Sequence, residues 1–192
     1  TEQGLLQPGE AAAPDWGLRP DWVDYAKLYA NRFLVLKKAW SRSRWEQDAD
    51  FSDFCRKNRT WLEDYALFMA LKDFFGGREW QAWPEEIRLR RPAALADWQK
   101  RLRQETIFWK YVQYLFFSQW ERLKDYANQK GIWMIGDIPI YVAMDSADVW
   151  TGGSRFQLDE NRQPTAVAGV PPDLFSATGQ LWGNPLYDWQ AM

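Results

Sequence analysis

Histidine is absent from this chain and cysteine occurs once. Without an imidazole there is no Ser-His-Asp or Cys-His nucleophile arrangement, and without several thiolates the common zinc sites lack ligands. A single thiol cannot cross-link the chain to itself, which fits a reducing compartment. Cys55 lies in FSDFCRKN beside Phe51 and Phe54, a setting for a buried thiol rather than a reactive one. No secretory h-region is present and no apolar run reaches the length of about 18 residues needed to span a bilayer; a cytoplasmic location is the expectation. Charge of one sign is also lacking. The formal net charge is -2, so nothing global draws the chain to nucleic acid or to an anionic membrane. The one basic cluster, Arg88 to Arg91 with Lys100, Arg101 and Arg103, is interrupted by Asp97 and adjoins Glu85 and Glu86; it reads as a solvated helix face.

What the chain has in excess is aromatic surface, with 14 tryptophans and aromatic residues at 17%. Such rings either fill a core or offer flat platforms for sugars and bases. A hydrophobic content of 46% beside 26% charged residues is that of a globular protein. At 192 residues the chain is long enough for one sizeable core, as one domain or two small ones.

Residues 1 to 20 carry proline and glycine without a sustained period and read as a linker or loop; no methionine begins them, which suggests a piece of something longer. Residues 21 to 130 read as a helical subdomain. Apolar residues at helical spacing run from Trp22 to about Trp40, then from Asp50 to about Phe75, where Gly76-Gly77 supplies a C-cap, and then from Pro92 to about Lys130, closed by Gly131. From residue 131 the texture changes. Ile132 to Ile135 is a short continuous apolar run of the kind that forms a strand buried on both faces, with Asp137 at its C-terminal end, where barrel enzymes place catalytic and binding groups. FQLDENRQPTAVAG predicts a hairpin turning at Glu160-Asn161, and VAGVPPDLFSATGQLWGNPLYDW follows as a loop rich in proline, glycine, amides and tryptophan.

Carboxylates are the only plausible catalytic groups in number, and Asp137, Asp145, Asp148, Asp159, Asp173 and Asp188 fall in the last third. Carboxylates among tryptophans and amides fit glycoside chemistry; an aspartate at a strand end is as often a cap or turn former. Asp145 and Ser146 in MDSADVW read as a helix start.

The segments WLEDYALFMALKDFFGG, YVQYLFFSQWERLK, IGDIPIYVAMDSADVW, FQLDENRQPTAVAGVPPDLFSATGQLWGNPLYDW and, more loosely, VDYAKLY resemble the amylomaltase family, the 4-α-glucanotransferases or disproportionating enzymes of the α-amylase-like (β/α)8 barrels. The resemblance implies an α/β fold, a fragment of a (β/α)8 barrel with a large, mostly helical insertion, in which residues 131 to 192 are part of the catalytic barrel. It implies retaining transfer of α-1,4-glucan segments between maltooligosaccharides, with glucose as an acceptor, and no cofactor or metal. By the same resemblance VAGVPPDLFSATGQLWGNP closes over the glucan and keeps water from the acceptor's place. Asp173 would be a substrate-binding residue, Leu174 and Phe175 at the tip of that loop would cover the sugar chain, and Gln180, Trp182 and Asn184 would face its hydroxyls and ring faces. Asp137 would organise the donor site rather than act as nucleophile, and Tyr29 would make an accessory glucan contact. Packing and loop-stitching roles stay open for Gln180, Trp182 and Asn184, a turn cap for Asp137, and core packing for Tyr29.

Met144 and Leu174 depart from the family's usual polar and aromatic choices at their positions. The family's Arg-x-Asp-His nucleophile strand cannot lie in a chain without histidine, and the acid/base glutamate and third aspartate are missing with it, so no catalytic residue is expected here. The chain then reads as an internal fragment of a plastid or cytoplasmic enzyme; the alternative is a glucan-binding module that has lost the chemistry.

Overall fold

A computed structural model describes residues 4 to 19 and 21 to 192. Thr1 to Gln3 and Pro20, part of the expected linker, lie outside the described residues. Residues 4 to 19 form no helix or strand, yet they are tied down: Glu10 pairs with Arg42 and with Lys38 (3.2 Å), and Asp15 with Lys27 (2.7 Å).

Among the described residues seven α-helices follow: α1 (Tyr25–Arg42), α2 (Ala49–Lys57), α3 (Arg59–Phe74), α4 (Glu85–Arg88), α5 (Pro92–Arg101), α6 (Arg103–Gln129) and α7 (Ala147–Thr151). Local chemistry sets their ends. The Asp24 and Asp48 carboxylates accept from the N–H groups of Lys27 and Phe51 at the starts of α1 and α2, satisfying donors that a helix leaves unpaired. Gly77 (φ +79°) donates to the carbonyl of Lys72 and so closes α3; Gly131 (φ +77°) does the same work after α6, with Ile132 donating back to Ala127. Proline occupies the first turn of α5, where its missing N–H costs nothing. The two long helices expected over 50 to 75 and 92 to 130 are each broken in two, at Asn58 and at Leu102, where a single residue leaves helical geometry.

α3 supplies the centre of the core, with Leu62, Ala66, Leu67, Phe68, Ala70 and Leu71 buried. The first half of α6 packs on it through Phe108 and Trp109, Lys110 reaches Glu63 (2.6 Å) and the Trp109 indole donates to Asp73 (3.2 Å). Trp80, Trp83 and Trp150 complete this centre, and the indole N–H of each of these three has an acceptor: the carbonyls of Met144, Arg78 and Ile87 respectively. That pairing is what allows so large a polar-edged ring inside. Truncating Trp150 to alanine would cost about 3–5 kcal/mol.

Three expectations need correction. Ile132 to Ile135 is not a strand. The segment is exposed, Ile135 at 98%, and no described strand pairs with it, because a buried strand exists only with neighbours to take its backbone groups. The basic cluster is not wholly a solvated face: Arg90 lies 4.2 Å over the Trp150 ring and pairs with Asp64, while Arg88 donates to the carbonyl of Asn161. Ser146 caps α7 by accepting from Val149, but Asp145 does not share that duty; its carboxylate is drawn instead to Lys72 and to the N–H of Trp80.

The turn at Glu160-Asn161 is present, with Leu158 bridged to Pro164. The one sheet among the described residues has two strands, β1 (Val167–Val170) and β2 (Gln180–Pro185). The described fold is thus mostly helical, and a barrel is not among its elements.

Candidate functional site

The frame of the site is the pair β1 and β2. They run antiparallel with Val170 opposite Gln180, Gly169 opposite Leu181 and Val167 opposite Pro185, and a bulge lies between Val167 and Gly169. A Cβ at Gly169 would stand 2.7 Å from the carbonyl oxygen of Gln180, so the close approach of the strands requires glycine there.

The connecting loop holds its shape by its own bonds. Asp173 accepts from the N–H groups of both Phe175 and Ser176 (2.8 Å each) and donates its own N–H to the carbonyl of Ser176, whose hydroxyl donates in turn to Gly179. An aspartate closing a turn on its own backbone needs no other partner. The result lifts Leu174 and Phe175 clear of the protein, 101% and 95% exposed. They stand among several exposed large apolar side chains, including Ile135 (98%) and Leu181 (81%).

β2 carries the polar and aromatic groups. The Trp182 indole N–H donates to the Gln180 side-chain oxygen (2.9 Å), which fixes that amide's orientation and turns its NH2 to other acceptors. Trp182 is 47% exposed, and its ring meets Tyr141 edge-on at 5.9 Å. Asn184 is half-buried and donates its amide N–H to the carbonyl of Val142 (2.9 Å). These two contacts join the hairpin to the segment that carries Asp137. Asp137 itself is exposed and accepts from the N–H of Ile138 (2.8 Å), a turn-forming bond.

Gln180, Trp182 and Asn184 therefore share one strand with the exposed tip beyond it, and Asp137 is linked to them through Tyr141 and Val142. Tyr29 stands apart on α1. It is 70% exposed rather than in the core, with the Arg32 guanidinium 4.9 Å from its ring and Phe33 against its edge. Tyr141 was not singled out from the sequence.

An indole face, amide donors and an apolar cover are what a polyhydroxylated ring needs. The carboxylates here are occupied with backbone N–H groups. Among the described residues no group of three or more Cys, Asp or Glu is placed to hold a metal ion. No described helix is long and apolar enough to cross a membrane.

The family model of the 4-alpha-glucanotransferases matches residues 1–192. A 4-alpha-glucanotransferase of Clostridium butyricum is 43% identical over 98% of this chain and 39% of its own length, and one of Streptococcus pneumoniae is 45% identical over all of the chain and 38% of its own. Among solved structures, the amylomaltase of Streptococcus agalactiae in complex with acarbose superposes with a TM-score of 0.90 at 41% identity, over 99% of this chain and 39% of that one. The chain thus spans about two fifths of the length of the relatives it matches. It belongs to the 4-alpha-glucanotransferase family.

Proposed function

We propose that this chain is the substrate-holding part of a 4-α-glucanotransferase. That enzyme moves an α-1,4-glucan segment from one maltooligosaccharide to the 4-hydroxyl of another, or of glucose, by retaining double displacement in a (β/α)8 barrel that residues 131 to 192 help to build, with residues 21 to 130 as its helical subdomain. In such a reaction a carboxylate displaces the leaving sugar and an acceptor hydroxyl then displaces the carboxylate; the nucleophile and acid/base come from elsewhere in the enzyme.

The roles left to this chain are binding, orientation and exclusion of water. Trp182 offers its ring to a sugar face and Gln180 its amide NH2 to a hydroxyl oxygen. Leu174 and Phe175 close over the glucan, and Asp173 holds the turn that presents them. Asp137 accepts from sugar hydroxyls at the donor side, and Tyr29 offers an accessory ring. No cofactor or metal takes part. The working compartment is the cytoplasm or a plastid, where a single thiol stays reduced.

The observation that carries the reading is the self-bonded loop with its exposed apolar pair, set beside the Gln180–Trp182 pair. The test is to incubate the full-length product of the gene with maltotriose and to titrate it with acarbose by calorimetry. A ladder of longer oligosaccharides with free glucose, and saturable acarbose binding weakened by Trp182→Ala, are expected. Glucose and maltose alone, or no acarbose binding, would overturn it.

A further inference from the structure

Asn184 sits among residues assigned to the sugar, yet its amide is turned the other way. Its N–H donates to the Val142 carbonyl at 2.9 Å, and the side chain is half-buried. Val142 is the neighbour of Tyr141, and Tyr141 meets the edge of Trp182. The two contacts therefore form one seam between the hairpin and the chain that follows Asp137.

That chain changes character along its length. Residues 131 to 140 are exposed and without helix or strand. From Val142 onward the chain is anchored: Val142 and Met144 pack on the core, the Met144 carbonyl accepts from the Trp80 indole (2.7 Å), and Asp145 pairs with Lys72 (2.6 Å). Asn184 thus grips the last part of the segment that the core also holds, and passes that fixed position to the hairpin.

Trp182 in turn has two supports, the Gln180 oxygen on its N–H and Tyr141 against its ring. A ring held from two sides meets a ligand without first losing rotamer freedom, which raises affinity by pre-organisation.

We propose that Asn184 is a positioning residue: by holding the Val142 carbonyl it seats Tyr141 against Trp182 and so fixes the angle at which that indole meets a glucan ring. The inference rests on the glucan reading above. The N–H given to Val142 is not available to a sugar while the seam is closed.

A double-mutant cycle on the full-length gene product separates the two roles, with the acarbose titration as readout and thermal unfolding as the check on folding. Asn184→Ala is expected to weaken binding about three- to tenfold, within the range of coupled neighbours. In a Tyr141→Leu, Trp182→Ala background the same substitution is then expected to change affinity less than about twofold, because there is no longer an indole to orient. If Asn184→Ala fails to fold, Asn184→Asp, of the same shape without the donor, takes its place in the cycle. Equal factors in the two backgrounds mean a direct sugar contact and overturn the proposal, as does an Asn184 variant that binds like wild type. A wild type that binds no acarbose while folding normally is a different failure: it removes the glucan reading, and this inference with it.

Discussion

The ammonium of Lys72, near the end of α3, lies 2.6 Å from the carboxylate of Asp145, 73 residues further along the chain. The same ammonium donates to the carbonyls of Gly77 (2.7 Å) and Arg78 (3.0 Å), and the other Asp145 oxygen accepts from the Trp80 N–H. One cation therefore ties the cap of a core helix to the strap behind the candidate site.

Both partners are largely withdrawn from water, with side chains 17% and 31% exposed. Removing either leaves a charge and two or three polar groups without their match. Lys72→Met is expected to destabilise the protein by about 2–3 kcal/mol, and Asp145→Asn by less, since an amide still serves Trp80. Urea unfolding of the two variants checks the order; a Lys72→Met variant within about 0.5 kcal/mol of wild type would remove the tie from the account.

Gly179 and Gly183 have nearly the same backbone angle, φ +73° and +77°, but different surroundings. A Cβ at Gly179 would stand 2.5 Å from the Val170 carbonyl oxygen, whereas one at Gly183 meets nothing within 4 Å. Gly183→Ala should therefore cost only the backbone strain of about 1–2 kcal/mol, and Gly179→Ala that strain plus a collision. The cost falls on the hairpin rather than on the whole fold. Amide exchange in β1 and β2 is expected to quicken in both variants and markedly more in Gly179→Ala; equal rates would contradict the steric argument.

Replacing Leu174 and Phe175 together by serine should leave stability within about 0.5 kcal/mol, because neither side chain is buried. Its effect is expected in the products. With the apolar cover gone, more of the glucan released from donor ends on water, and the ratio of hydrolysis to transfer by the full-length gene product rises several-fold. Chromatography of the oligosaccharides gives that ratio, and an unchanged value would deny the pair a covering role.

Two sets of groups make stability depend on pH in opposite directions. The guanidinium of Arg42 holds the Glu10 carboxyl down from 4.5 to about 2, helped by the N–H of Gln7 and by Lys38. A lowered carboxyl favours the folded arrangement when ionised. The hold of residues 4 to 19 on α1 is therefore full above pH 4.5 and fades as pH falls toward 2. Burial pushes the phenols of Tyr65, Tyr111 and Tyr114 above the ordinary 10; their contribution is full below pH 10 and is lost as pH rises through the folded values. An NMR titration of Glu10 reads the first, and the urea midpoint at pH 8 against pH 11 reads the second. Glu10→Gln should weaken the acid response of the N-terminal segment and leave the part due to Asp15, whose carboxyl Lys27 and the N–H of Gly17 also hold down.

Much of the helical part was legible because its punctuation is local. Gly76-Gly77, Pro92 and Gly131 mark ends wherever they occur, since positive φ and a missing N–H are properties of single residues. The breaks at Asn58 and Leu102 carry no such mark. Both residues sit just off helical angles (φ -102°, ψ 11° and φ -105°, ψ 29°), and packing rather than sequence decides it. Strand assignment failed for a related reason. Ile132 to Ile135 has the apolar content of a strand without a neighbour among the described residues, whereas VAGV, shared between the expected hairpin and loop, and QLWGNP, expected as loop, become strands by pairing with each other. Within the candidate site, the tip was expected only from the family resemblance, and the turn that Asp173 closes was not read from the sequence. Nor was the Asn184 bond to Val142, because nothing in NPLY says which carbonyl, 42 residues earlier, its amide will meet.

The indole cluster in the core also gives the protein an optical signature. Trp83 and Trp150 lie with ring centroids 5.7 Å apart and planes at 73°, with Phe68 and Phe75 against them. Chromophores held that close in one asymmetric arrangement couple their transitions, and the near-ultraviolet circular dichroism they produce vanishes when fixed packing is lost even if helices persist. Fixed packing at the centre where α3, α4 and α7 meet can thus be followed separately from helix content.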